Sequence, residues 1–251
     1  MKTLYLALPA TLCALVMAGP AFAQTAPPDA DLSVSIAAAQ KQHAAAFTAH
    51  SQLLNGPQYL DYSKRYYVST GHQFFGVPDK QPGSVTYTNQ RLFDNLELQY
   101  DLVYDQVVLS VPNSALTLRL INEEMQEFTL NNHRFVRLLA DSASAGVIRT
   151  GYYEMLLDGT VQVLAKRSKR LQEQVAQHNI NVRFTASDKL FMRKDGRYYP
   201  VASKGAALRL LADRGKDLQK YLQEHKLKFS KASREASLMQ LAGYYAGLVS
   251  R

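Results

Sequence analysis

Between residues 83 and 167, short apolar runs alternate with turn residues about every eight to twelve positions, a pattern that antiparallel strands satisfy and long helices do not. Leu92, Leu96, Leu98 and Tyr100 share one parity, with Arg91, Asp94 and Gln99 around them, as on a strand with one wet face. Val107, Leu109 and Val111 repeat the period after a break near Tyr104 and Asp105. Pro112-Asn113-Ser114 then turns the chain into Leu116, Leu118 and Leu120. Asn131-Asn132 suits the positive φ angles of a tight hairpin, and Asp158-Gly159 is the sharpest hairpin signal in the chain. About eight strands are expected, enough to roll up on themselves.

The flanks read differently. Lys2, an apolar run over residues 4–17 and Ala21-Phe22-Ala23 have the three regions of a secretory signal peptide, so cleavage is expected before Gln24. The run is short for a membrane span, and the bulky Leu12 before Cys13 argues against a lipid-modified cysteine. Cys13 is the only cysteine, so the exported chain would hold no disulfide and must rely on a packed core, for which 47% hydrophobic residues supply the material. Residues 24–57 read as a linker followed by an Ala-rich helix ending at Asn55-Gly56-Pro57, and the tyrosines of residues 59–68 favour an extended segment. Beyond the meander, a charged segment from Lys166 to Asn179 is either helical or a long hairpin arm. Asp195-Gly196 closes a last hairpin, and Ser203 is placed to cap a helix. Leu238, Leu241, Ala242, Tyr245, Leu248 and Val249 mark the cleanest amphipathic helix.

Charge is unevenly spread. Residues 24–163 carry 9 Lys and Arg against 14 Asp and Glu, a net −5, whereas residues 164–251 carry 19 against 7, a net +12. Either the two parts attract each other or the second presents a basic face to an anionic partner. Nucleic acid is excluded because no recognition motif accompanies the charge.

Catalytic signatures are absent. The six histidines form no metal-ligand spacing, and no HExxH, GxSxG, SxxK or glycine-rich phosphate loop occurs. Asp101 with Asp105, and Glu123 with Glu124, read as turn carboxylates held by solvent. His72, between Gly71 and Phe74, is the one histidine in a setting that suggests a site.

Gly71-His72-Gln73-Phe74-Phe75, residues 83–87, 100–105 and 151–154, and Lys194-Asp195-Gly196-Arg197-Tyr198-Tyr199 together resemble a family of exported bacterial proteins with no assigned activity. That resemblance implies a periplasmic or secreted protein and carries over no functional residue. In architecture alone the pattern is also similar to half-open β-barrel carriers of lipids and lipoproteins.

The expected fold is α+β: an antiparallel β-roll or partial barrel over residues 58–165, preceded by a signal peptide (1–23) and a linker with a short helix (24–57). A basic hairpin and C-terminal helices (166–251) would pack on that β domain. The expected function is a non-enzymatic envelope binding or accessory module for an anionic lipid, a polysaccharide or an envelope protein, with no cofactor, metal or nucleic acid. A hydrolase of envelope polymer and a subunit docking through its C-terminal helix are the alternatives. The expected binding groups are Lys166, Arg167, Lys169 and Arg170, joined by Lys194, Arg197, Lys204 and His72.

Overall fold

The computed structural model describes residues 51–250, apart from 142, 143, 145, 177 and 178. The expected signal peptide, the linker and nearly all of the N-terminal helix lie outside the described residues; Ser51–Asn55 forms a short 3-10 turn with Leu53 buried.

The described chain is mostly antiparallel β-sheet with a few helices. Ten strands make one sheet, in the order β13-β12-β9-β8-β7-β6-β2-β3-β4-β5. In chain order these are β2 (Gln81–Tyr87), β3 (Leu92–Asp101), β4 (Gln106–Ser110), β5 (Thr117–Arg119), β6 (Met125–Leu130), β7 (His133–Leu138), β8 (Gly151–Leu157), β9 (Gln162–Lys166), β12 (Lys189–Lys194) and β13 (Arg197–Pro200). The sheet does not close, because β13 and β5 remain edges. A second, three-stranded sheet joins β1 (Val68–Thr70), β11 (Asn179–Ala186) and β10 (Lys169–Ala176), with β1 parallel to β11.

The turns follow their residues. Asn131 and Asn132 sit at φ 45° and 68°, and Asp195 and Gly196 at 49° and 76°, as two-residue hairpins of this twist require. Asp158-Gly159 differs. It joins β8 to β9 as expected, but within a four-residue connection over residues 158–161 and beside a register shift between Met155 and Leu157. The charged segment after Lys166 is a hairpin arm, β10 paired with β11 over eight positions. Residues 59–68 are not extended throughout. The Asp61 carboxylate accepts the Ser63 N–H at 3.0 Å and caps a 3-10 turn at Tyr62–Arg65, leaving only Val68–Thr70 as strand.

Several strands are buried on both faces. In β9, Val163 and Ala165 pack under the C-terminal helices while Leu164 packs with Ile148, Tyr153 and Phe191 on the other side, which explains the unbroken apolar run. Val107 and Leu109 of β4 likewise join the main core, and Val108 between them is covered by Tyr59 and Phe74. The main core is aromatic: Phe128 and Phe135 stack at 4.7 Å, with Tyr100 and Tyr152 edge-on to Phe128 at 5.1 Å.

Three helices complete the fold: α1 (Lys204–Leu210), α2 (Gly215–Glu224) and α3 (Arg234–Val249). Ser203 caps α1, its hydroxyl accepting the Ala206 N–H at 3.3 Å. Leu238, Leu241, Ala242 and Tyr245 of α3 pack with Leu218 and Leu222 of α2 on the sheet. None of the described helices is long and apolar enough to cross a membrane.

Arg167 ties α3 to the sheet. Its guanidinium donates to Glu154 of β8, to Asp188 before β12 at 3.1 Å, and in two parallel bonds of 2.7 and 2.8 Å to Glu235 in the first turn of α3. Glu154 keeps only 3% of its side chain exposed, so removing the cation strands a buried carboxylate beside His133 alone. Arg167→Gln should therefore cost about 3 kcal/mol in urea denaturation, whereas Arg170→Gln, at an exposed position, should cost less than about 0.5 kcal/mol.

Candidate functional site

Two irregular segments are laid against the sheet by backbone bonds. Gln58 bridges Leu118, the Tyr59 N–H donates to the Thr117 carbonyl at 2.9 Å, and the Arg119 N–H donates to the Pro57 carbonyl at 2.8 Å. Farther along, Phe74 bridges Asp101, the Phe75 N–H reaches the Tyr100 carbonyl at 2.8 Å, and the Leu102 N–H reaches the Gln73 carbonyl at 3.0 Å. Side chains from both segments, with neighbours from β3 and β5, line a cleft of about 630 Å³; Tyr59, Asp61, Lys64, His72, Gln73 and Asp79 are among them.

The polar groups of this wall are tied to a buried carboxylate. Asp101 is fully buried and accepts the Tyr59 hydroxyl at 2.9 Å, the Tyr62 hydroxyl at 3.2 Å, and the N–H groups of Val103 and Tyr104 at 2.9 and 3.2 Å. Burial pushes the Asp101 carboxyl up, and these four donors oppose that rise. Burial first, and then the Asp101 charge, push the Tyr59 and Tyr62 hydroxyls far up, so both stay protonated and donate. Gln73, itself buried, donates from Nε2 to Asp61 at 2.8 Å and to the Tyr59 oxygen at 3.4 Å. Asp61 Oδ1 also receives the Ser63 hydroxyl at 2.6 Å. A chain of hydrogen bonds thus runs from the interior to the cleft wall.

His72 lies in that wall, half-buried, and its Nδ1 is buried with no hydrogen-bond partner among the described residues. Burial, and then the Lys169 cation, hold the ring below the ordinary histidine value, against a backbone contact with Gly76 and the Asp79 charge. Lys169 does more. Its ammonium donates to the His72 carbonyl at 2.7 Å and the Phe74 carbonyl at 2.6 Å, pinning the loop that carries His72 and Gln73.

The basic run is not an exposed patch. Lys166 donates to Asp105 at 2.6 Å and to the Tyr152 carbonyl at 3.0 Å; burial lowers its pKa and Asp105 partly restores it. Gly151 makes that pair possible. At φ +149° it would place a Cβ 2.1 Å from Asp105 Oδ2 and 2.7 Å from Lys166 Nζ. Arg167 is enclosed by its three carboxylates and Lys169 by the loop it pins, so only Arg170 of the run is exposed. Lys194 is engaged by Asp213 at 2.6 Å and by the Leu210 carbonyl, while Arg197 and Lys204 are exposed on β13 and at the start of α1. Of the eight expected residues, Lys169 and His72 are brought together at the cleft.

Asp101, read from the sequence as a solvated turn carboxylate, is the network's centre. It differs from Asp105, which serves the separate pair with Lys166 and accepts the Tyr100 hydroxyl. The only local hint lay in the tyrosines around it, at positions 59, 62, 100 and 104.

No protein-family model, no curated protein and no solved structure matches the chain.

Because His72 titrates lower when folded, the unfolded chain takes up the proton first as pH falls through 6.5, and stability is lost from there down to the folded value. His72→Asn should remove that portion of the acid slope, read from urea midpoints between about pH 8 and pH 5.

Proposed function

We propose that the chain is an exported envelope protein without catalytic activity, a binding module whose cleft holds a hydroxyl-rich ligand of the polysaccharide class. The observation that carries this reading is the cleft itself, whose volume of about 630 Å³ falls in the range of small-molecule sites. Tyr59 and Phe74 bring rings to its wall, and Asp61, Gln73, His72 and Thr117 bring donors and acceptors. Asp61 and Asp79 face Lys64 and Lys80 in charge, so the lining suits a neutral polar ligand better than a polyanion.

The same reading takes the ten-stranded sheet as a partial barrel. β3 and β8 stand four places apart in strand order, a separation of roughly 19 Å in a flat sheet. Tyr100 and Tyr152 from these strands nonetheless bring their rings to 6.1 Å, which supports a rolled sheet.

A hydrolase of envelope polymer is the second reading, favoured by the presence of two carboxylates, Asp61 and Asp79, along one cleft. Docking through the terminal helix finds less support, since Leu238, Leu241, Ala242 and Tyr245 are already buried within the chain.

Envelope oligosaccharides titrated into the protein should perturb the NMR signals of His72 and Gln73. Asp61→Ala should weaken binding about tenfold, and Arg197→Gln, on the exposed end hairpin, should leave it unchanged. Release of new reducing ends during the titration would favour the hydrolase, and binding abolished by salt but indifferent to Asp61→Ala would refute the cleft.

A further inference from the structure

The β10–β11 arm carries an apolar face that outruns its cover. Ile180, Val182 and Phe184 alternate along β11 and so share a face. Val182 and Phe184 are buried, packed with Tyr66 and half-covered by Tyr62, Val103 and Leu171. Ile180, two residues farther out, is 45% exposed, and Val175, its direct cross-strand partner, is 83% exposed. Tyr67 stands beside them, its N–H donating to the Ile180 carbonyl at 3.1 Å, and is 75% exposed. Two β-branched side chains and a tyrosine therefore sit together at the outer end of the arm, continuing an apolar face that the body covers nearer its base.

Charge accompanies the apolar end. Arg170 and Arg183 are exposed on the opposite face of the arm, and Lys64 is exposed in the turn before Tyr67. Glu173, the arm's one carboxylate, is already held by Arg65 at 3.1 Å and by the Tyr66 hydroxyl. The surface therefore presents cations around a small apolar end, with its acid neutralised.

We propose that this arm docks on an anionic lipid surface, with Tyr67, Val175 and Ile180 entering the headgroup and acyl boundary while Lys64, Arg170 and Arg183 face phosphate groups. Three side chains are too few for a stable protein interface, which needs roughly 800 Å² per partner. They suffice for an interfacial anchor, where apolar burial and attraction to anionic lipid add and a tyrosine suits the boundary. The inference does not depend on the cleft or its ligand.

The chain has no tryptophan, so Val175→Trp creates a single reporter at the arm's end. Added to phosphatidylglycerol-containing vesicles at low salt, this protein should co-sediment with a blue-shifted emission, and neither should occur with phosphatidylcholine alone. High salt should release it, because the cations act through a screened surface. Val175→Asp with Ile180→Asp should reduce partitioning about tenfold for each replacement, and both positions are exposed enough to leave the melting temperature near that of the wild type. Should that double variant fold poorly, Arg170→Glu with Arg183→Glu tests the charge half and should also abolish sedimentation. Equal sedimentation of wild type and variants would overturn the proposal. So would a blue shift without lipid that grows with protein concentration, since the arm would then be covered by a second copy.

Discussion

Arg167 is the point at which three otherwise separate parts of the chain are held together. Glu154 belongs to the middle of the sheet, Asp188 to the approach to β12, and Glu235 to the first turn of α3, and one guanidinium reaches all three. Burial opposes the charge on Arg167, but hydrogen bonds to Glu235 and Glu154 outweigh it and hold the group firmly protonated. The acidic position of Glu235 near a helix N-terminus adds to the fit. Much of the remaining structure follows from where this cation sits, because the helices cover the face of β9 that carries Val163 and Ala165 only when α3 is docked.

The uneven charge along the chain is resolved in the same way. Lys166 with Asp105, Arg167 with Glu154 and Arg65 with Glu173 each join a residue before position 164 to one after it. The basic second part and the acidic first part thus meet as ion pairs, several of them shielded from water. A cation taken out of solvent needs its partner and its hydrogen bonds, and Lys166 and Lys169 complete theirs on backbone carbonyls. Lys169 links this arrangement to the cleft, since the carbonyls it satisfies belong to the loop that carries His72.

The cleft depends on a buried acid in turn. Asp101 gathers two tyrosine hydroxyls and two backbone N–H groups, and through Tyr59 and Gln73 it fixes the acceptor Asp61 at the wall. Such a network is rigid because each member would be left unpaired by the loss of another. The polar groups at the wall are consequently preset for a ligand.

What the sequence by itself determined is local. Period-two alternation marked the strands, Asn131-Asn132 and Asp195-Gly196 marked their hairpins, and Ser203 marked a helix start, each because side-chain direction or backbone φ depends on near neighbours. Asp158-Gly159 gave the hairpin but not its length, since the register shift in β8 arises from pairing with another strand. Tertiary structure alone decided which cations are enclosed and which carboxylate is buried. Lys166 and Asp105 lie far apart in the chain, as do Lys169 and His72, and no local pattern reports a partner that only the folded sheet brings within hydrogen-bond reach. Asp101 and Asp105 look alike in sequence, four residues apart in one turn, yet one is wholly buried under the tyrosines and the other pairs with a lysine. Desolvation is a property of what is folded over a residue, and that cover comes from elsewhere in the chain.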